Sequence, residues 1–510
     1  MDDKLILTLD FGTQSVRAGL FNKKGEIIDL IKIPYNPPYF STQPGYAEQD
    51  PHYYYEFLCK ATHELISRNS EKMKNVLGIT MCFFRDSVVA LDKDNKPLRP
   101  AILWLDERRA KGIYKLPLFS RILFRLVGAG ETIELNQNRS MSNWLHENEP
   151  ENWKNTDKFM FISTYITLQL TGEYIDSPSC QAGHLPINFK KGKWRSKSDI
   201  MGQIFSVPSR MLCKLCKQGE IMGYVSEQAS KDTGLPQGMK IYAGGSDKSA
   251  ETLGLGSIDL YTAAVSYGTA STIEISTKKF MNAEPLLPSY PAIQKDYYNM
   301  DVQVYRGYWT LNWFAKEFTK DSEGKPLSLE ELNKKMMEIE PGCNGLVIQP
   351  YWGSGLRRPV ARGAMIGFSE STTNAHVYRA IIEGIAYCLR EGLELFEKRR
   401  LHHKVEHIRI SGGGSNSNEI CQITSDIFGL PVSKVQTSEC SSLGTAIAGF
   451  LAAKEFDSVD EAVKSMVHQT VEFTPNMENF KKYNYLYKNV YLKMYPKLKK
   501  SYKKIKQFCN

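Results

Sequence analysis

The sequence has no apolar run approaching the roughly 20 residues that a membrane-spanning helix needs. Met1, Asp2, Asp3 and Lys4 lead straight into a strand-like pattern, with no charged and then apolar leader. The chain is therefore expected to be neither membrane-embedded nor secreted. Regular cysteine spacing is missing too. The ten cysteines are scattered, and Cys82, Cys388 and Cys421 lie inside apolar patterns where a free thiol acts as a small core residue. A disulfide framework is excluded and a reducing, cytoplasmic compartment expected. Cys213 and Cys216 have metal-ligand spacing, but no second Cys or His pair stands at a suitable distance, so four-coordinate zinc is not supported.

Acid is absent from one place. Residues 480–510 carry ten lysines and no Asp or Glu, which accounts for the whole net charge of +9. The body is near neutral, so neither nucleic acid nor a membrane is expected as a partner; a homodimer is left open. Tyr483, Tyr487, Tyr491, Tyr495 and Tyr502 recur at helical spacings in this tail. It should form an amphipathic helix with its aromatic side on the body and its lysines in water.

What is present is ordinary globular composition, 42% hydrophobic and 24% charged, over 510 residues. That length exceeds what one hydrophobic core serves, so two large domains are expected. The alternation predicts strands over 5–10, 15–21 and 26–33, a helix over 53–67, and strands over 76–81 and 87–91. The opening recurs halfway along, with strands over 261–266 and 271–276 around a turn. Phe11, Gly12, Thr13 and Ser15 match Tyr267, Gly268, Thr269 and Ser271 at equivalent places in the two hairpins. A duplicated α/β domain explains this. The boundary should fall near 244–256, dividing the chain into 1–250, 251–455 and a basic tail at 456–510, with 190–234 an elaboration of the first domain.

A Gly-Thr hairpin turn presents successive backbone N–H groups and a hydroxyl, which together can wrap phosphate oxygens. Either turn alone would equally satisfy hairpin geometry; two in equivalent places can grip a polyphosphate between them. A third piece runs from Ile408 to Ser415, a short β-rich run entering a triple-glycine turn and then a helix over 417–428, where backbone donors favour a nucleotide. It lacks both the dinucleotide and the P-loop spacings. Asp247 follows a strand and begins a helix at the domain junction. Phosphoryl transfer to an alcohol needs a carboxylate to accept the hydroxyl proton and a metal to neutralise phosphate charge. Asp247 suits the first task and Asp10 the second; a helix-start acid and a solvated turn acid are the alternatives.

Over nearly its whole length the chain resembles the FGGY carbohydrate kinases. The resemblance is carried by LDFGTQSVRAGLF at the start, PGYAEQDP at 44–51, RDSVVALDK at 85–93, LRPAILWLDERR at 98–109, AGGSDKSA, SYGTAS, QPYWGSG at 349–355, the signature between Gly363 and Glu383, and ISGGGSNSNEICQITSDIFGLPV. It implies two ribonuclease-H-like, actin-like ATPase domains with MgATP and a sugar in the cleft between them, closing as a hinge. On that resemblance Asp247 is the catalytic base and Asp10 helps hold Mg²⁺. Gly12, Thr13, Gln14, Ser15, Arg17, Gly268 and Thr269 hold phosphates; Gly413, Gly414 and Asn418 hold the adenosine. Arg85, Asp86, Trp104 and Asp106 form the acceptor pocket, which also makes chemical sense unaided: directed charged pairs and an aromatic wall suit a polyhydroxylated substrate. A pentulose such as xylulose is favoured, with glycerol or another polyol as the alternative. From another class, a non-catalytic sugar or nucleotide sensor or a chaperone-like ATPase would share the fold. Departures from the family pattern include Met81 to Phe84 inserted before Arg85, Lys248 where a Gln commonly follows the aspartate, Met141 where a Lys is often found, and Ala270 in the second turn.

Overall fold

The computed structural model describes residues 3–112, 116–196, 198–284, 287–353, 355, 357–398 and 403–509. Ser354 of the 349–355 motif, Met1 and Asp2, and Asn510 of the tail lie outside them.

The chain opens on β1 (Leu5–Phe11), β2 (Ser15–Asn22) and β3 (Ile27–Pro34), the antiparallel meander that the alternation predicts. Next comes α1 (Pro51–Asn69), whose Asp50 cap accepts the His52 N–H at 2.9 Å, with Pro51 in the first turn. The chain returns as β4 (Val76–Phe83), parallel to β1. After a long excursion, β5 (Ile221–Tyr224) and β6 (Lys240–Ser246) complete a sheet of order β3-β2-β1-β4-β6-β5, and α2 (Asp247–Gly254) leaves from its end. Gly244 and Gly245, where the expected domain boundary begins, continue β6. A Cβ on Gly244 would stand 2.0 Å from the Met81 carbonyl oxygen, so glycine here serves the close approach of β6 to β4.

The second half begins with β7 (Thr262–Tyr267), β8 (Ser271–Thr277) and β9 (Tyr298–Val304). It continues through α3 (Asn374–Phe396), β10 (His407–Ser411), α4 (Asn418–Phe428), β11 (Val432–Val435), α5 (Cys440–Ala452) and β12 (Gln469–Phe473). The sheet order is β9-β8-β7-β10-β11-β12, with the short strand Tyr290–Pro291 outside β9. Each pairing has the same sense as its counterpart in the first sheet, including the two parallel neighbours and the antiparallel edge. The duplication signalled by two short turns is thus a duplication of whole sheets.

Strand alternation decides what β1 presents to each side. Leu5, Leu7, Leu9 and Phe11 join the core beneath α1, while Ile6 joins a second core with Leu443, Ile447 and Phe450 of α5. Being covered on both faces, the strand reads as a nearly continuous apolar run. Asp10 shares the face of Ile6, so its carboxylate is carried toward α5, where Ser442 Oγ donates to it at 3.0 Å. The helices α2 and α5 hold equivalent places in the two halves and pack directly on each other. A Cβ on Gly254 would meet the Cys440 carbonyl oxygen at 1.9 Å, and one on Gly444 the Ala250 carbonyl oxygen at 1.8 Å, so only bare backbone fits this crossing.

The tail is the helix expected, continuous over 477–509 but with one wider turn inside it. It is α6 (Met477–Leu486), a π turn over Tyr487–Tyr491, and α7 (Leu492–Cys509). Tyrosines four apart overshoot an α-turn of about 3.6 residues, so their stripe drifts round a regular helix. One wider turn resets it. Tyr483, Tyr487 and Tyr491 are all fully buried, and the hydroxyls of Tyr483 and Tyr487 donate to Glu383 and Glu394 of α3, each at 3.0 Å. Among the described residues no helix is long and apolar enough to cross a membrane.

Candidate active site

A cleft of about 1180 Å³ separates the two sheets and is lined from both halves. Every site residue named from the sequence lines it except Asp10, Gly413, Gly414 and Asn418.

The two Gly-Thr turns join β1 to β2 and β7 to β8, one in each half of the chain. The Gly12 N–H donates to the Ser15 carbonyl at 3.0 Å, closing the first turn, and the Gly268 carbonyl accepts from the Tyr308 N–H at 3.1 Å, anchoring the second. Thr13 Oγ1 accepts the Trp104 indole N–H at 3.0 Å, leaving its own hydroxyl proton available. Arg17 lies 2.6 Å from Glu439 and 3.6 Å from Asp10. Burial raises the Asp10 carboxyl above the ordinary aspartate range, opposed by Arg17 and then by Cys82 and Ser442.

Asp247 is the first residue of α2, behind the Ser246 cap. Its Oδ1 accepts the Lys248 backbone N–H at 2.8 Å. Burial pushes its carboxyl up to about 6, against the Lys248 and Arg85 charges. A pKa there suits a base that is ionised at neutral pH yet basic enough to take a proton.

The wall expected to hold the acceptor is assembled differently from what its residue types suggest. Arg85 reaches into the other half of the molecule: its Nη2 donates to Asp301 Oδ2 of β9 at 3.1 Å, and its guanidinium lies 5.0 Å from the Tyr290 ring centroid. The Tyr290 hydroxyl in turn donates at 2.7 Å to Glu274 of β8, whose carboxyl is raised by burial and by Asp301. Asp86 adopts the left-handed region at φ 57°, which directs its carboxylate to His184; the His184 backbone N–H donates to Oδ1 at 2.9 Å, and Nδ1 lies 2.5 Å from Oδ2. Arg85 and Asp86 are therefore not paired with each other. Asp106 lines the cleft, but its carboxylate accepts from the Ala47 N–H at 2.7 Å and from the Arg108 backbone N–H, Nε and Nη2, each at 2.8 Å. Four donors thus hold the Asp106 carboxylate against Arg108 and the Ala47 backbone. Sequence reasoning missed Asp301, Tyr290, Glu274 and His184, none of which lies near the motif it serves.

In the triple-glycine turn a Cβ on Gly413 would meet nothing within 4 Å, so this backbone faces open space, whereas one on Gly414 would strike Tyr267 and Tyr308 at 2.6 Å. Asn418 begins α4, and its Oδ1 accepts from Lys434 Nζ at 2.9 Å. Among the described residues no group of three or more His, Cys, Asp or Glu side chains gathers as a metal cage. A single buried carboxylate, Asp10, two residues before the Gly12 turn fits magnesium, which retains waters and takes one or two carboxylates alongside substrate phosphates.

Residues 5–254 match the N-terminal domain, and residues 263–453 the C-terminal domain, of the FGGY family of carbohydrate kinases. The chain belongs to that family. The xylulose kinase of Lactococcus lactis is 30% identical over 490 residues, covering 94% of this chain and 95% of that protein. Among solved structures, a ligand-bound xylulose kinase from Lactobacillus acidophilus superposes with a TM-score of 0.83 at 21% identity, covering 98% of this chain and all of the other. A gluconate kinase from the same organism superposes with a TM-score of 0.82 at 22% identity, covering 98% of this chain and 99% of the other. These likenesses establish the duplicated ribonuclease-H-like, actin-like fold, and with the family they make the chain a sugar kinase.

Proposed function

We propose that the chain transfers the γ-phosphate of MgATP to a terminal hydroxyl of a small open-chain sugar, with a pentulose such as xylulose as acceptor. The observation that carries this reading is the convergence of Asp247, both Gly-Thr turns and the Arg85, Asp86 and Trp104 wall on one cleft. The xylulose kinase at 30% identity over 94% of the chain supports the acceptor.

In this reading the acceptor hydroxyl lies between Arg85, Asp86 and Trp104 with its proton toward Asp247. As that proton passes to the Asp247 carboxylate, the hydroxyl oxygen forms its bond to the γ-phosphorus. The bond from phosphorus to the β,γ-bridging oxygen breaks, and its electron pair leaves on ADP. Backbone N–H groups of the Gly12 and Gly268 turns, with the Thr13 and Thr269 hydroxyls, hold the phosphate oxygens in line. Gly413, Gly414 and Asn418 receive the nucleoside end, and Asp10 would hold magnesium, which offsets phosphate charge when bound. Closure of the halves excludes water from the γ-phosphate. Nine described cysteines are free thiols, which suits the cytoplasm.

The test is ADP release with a panel of ketoses, aldonates and polyols, followed by mass measurement of the product. Xylulose is expected to stimulate ADP formation and gain one phosphate. ADP formation that is the same with and without every acceptor would overturn the reading.

A further inference from the structure

The residue after the base has surroundings that the mechanism above does not use. Lys248 Nζ donates to Glu251 Oε2 at 2.6 Å and to Ser266 Oγ at 3.0 Å. The other oxygen of Glu251 accepts from Ser266 Oγ at 2.7 Å and from Ser411 Oγ at 2.5 Å. One carboxylate thereby joins three functional pieces. Lys248 adjoins Asp247 on α2, Ser266 lies just before the Gly268 turn, and Ser411 ends β10 just before the triple-glycine turn. Lys248 also lines the cleft itself.

An ammonium has three N–H donors. Two are occupied by Glu251 and Ser266; among the described residues the third has no acceptor. Burial alone would lower this ammonium, but Glu251 and Asp247 outweigh it and hold Lys248 above the ordinary lysine range, so it is charged. Glu251, raised by burial, is drawn lower by Lys248 and the two serines, so it too is charged. The arrangement is a preorganised cation, fixed on two sides and open on the third, between the base and the second phosphate turn.

We propose that Lys248 is a catalytic residue of the phosphoryl transfer, its free N–H donating to an equatorial oxygen of the γ-phosphoryl group as charge spreads onto those oxygens in the transition state. This rests on the kinase reading. A fixed donor aimed at developing charge needs no rearrangement at the moment of reaction. Lys248 also acts on the base beside it. Asp247 is faced by Lys248 and Glu251 from its own helix and by Arg85 and Cys82 from β4 and the turn after it, and Lys248 is faced by Glu274 from β8. Of these, Lys248 is the largest charge lowering the Asp247 carboxyl.

The experiment compares Lys248→Gln and Lys248→Arg with the full-length protein, using ADP release with the best acceptor across pH. Gln retains donors for Glu251 but no charge. It is expected to lower kcat about 100-fold, as loss of one fixed transition-state donor does, with acceptor KM changed less than about threefold. The acidic limb of kcat/KM should move to higher pH, because Asp247 loses a neighbouring positive charge. Arg is expected to restore most of kcat and return the limb to its wild-type position. A Gln variant with kcat within about threefold of wild type overturns the proposal, as does a loss of kcat with an unmoved limb or one that Arg does not relieve. Should the Gln variant fail to fold, the Arg variant decides alone: wild-type melting with a kcat about 100-fold below wild type rejects the proposal, and a near-normal kcat and limb support it. A wild-type protein that forms no acceptor-dependent ADP rejects the kinase reading instead, a result distinguishable from all of these.

Discussion

Trp104 and Thr13 are joined by a hydrogen bond of 3.0 Å from the indole N–H to the threonine hydroxyl. This bond fastens the aromatic wall of the cleft to the first Gly-Thr turn, so on the proposed reading acceptor and nucleotide binding should be coupled.

Trp104→Phe keeps the wall and removes the fastening. Both acceptor KM and ATP KM are expected to rise about threefold to tenfold, the effect of one hydrogen bond of roughly 1 kcal/mol. Steady-state kinetics with each substrate varied in turn checks this. A change confined to the acceptor would show that Trp104 serves only as an apolar surface.

Asp247→Asn keeps the size of the base and removes its basicity. The expected loss in kcat is about 10²- to 10⁴-fold, with little change in acceptor affinity. In the unmodified protein the carboxylate must be ionised to accept a proton. Since burial places its pKa at about 6, kcat/KM should fall as pH drops through about 6 and level off above it. An acidic limb near 4 would mean that another group sets the profile.

Asp301→Asn releases Arg85 from the opposite half of the molecule. The guanidinium remains but loses its ion pair, so acceptor KM is expected to rise about tenfold with a smaller effect on kcat. Isothermal titration with the acceptor, with and without a non-hydrolysable ATP analogue, provides the check. Normal acceptor affinity in the variant would show that Arg85 is positioned by its own lobe alone.

Gly444→Ala puts a methyl group where the Ala250 carbonyl oxygen lies, 1.8 Å away. The two helices must separate, at a cost of roughly 1–3 kcal/mol. Calorimetry should show an earlier unfolding transition, and kcat should fall because α2 carries Asp247. Wild-type melting would show that the crossing is looser than its geometry.

The hairpins around Gly12 and Gly268 were legible because alternating apolar residues and a glycine turn are local signals. So was Asp247 as the head of a helix, since a strand pattern, a polar cap and a helical stretch follow in order. The double glycine at 244 and 245 opens the expected boundary yet lies inside β6. Glycine marks a turn and a close backbone approach with the same letter, and here it is the Met81 carbonyl that excludes a side chain. The tail tyrosines announced their buried stripe, but not the π turn that keeps it on α3. Asp106 was placed in the acceptor pocket on the family resemblance; that Arg108 and the Ala47 N–H already engage its carboxylate depends on contacts with a chain segment far away in sequence. The same holds for Asp301 beside Arg85 and for the Lys248, Glu251, Ser266 and Ser411 network, whose members come from three separate stretches of chain.

Where Gly254 meets Cys440 and Gly444 meets Ala250, main chain touches main chain with no side chain between. A contact built this way has no side-chain rotamers between the two helices. Asp247 heads one of the two helices in that contact. On the proposed reading, if the halves close about this crossing, the proton acceptor would be displaced least and the two Gly-Thr turns most.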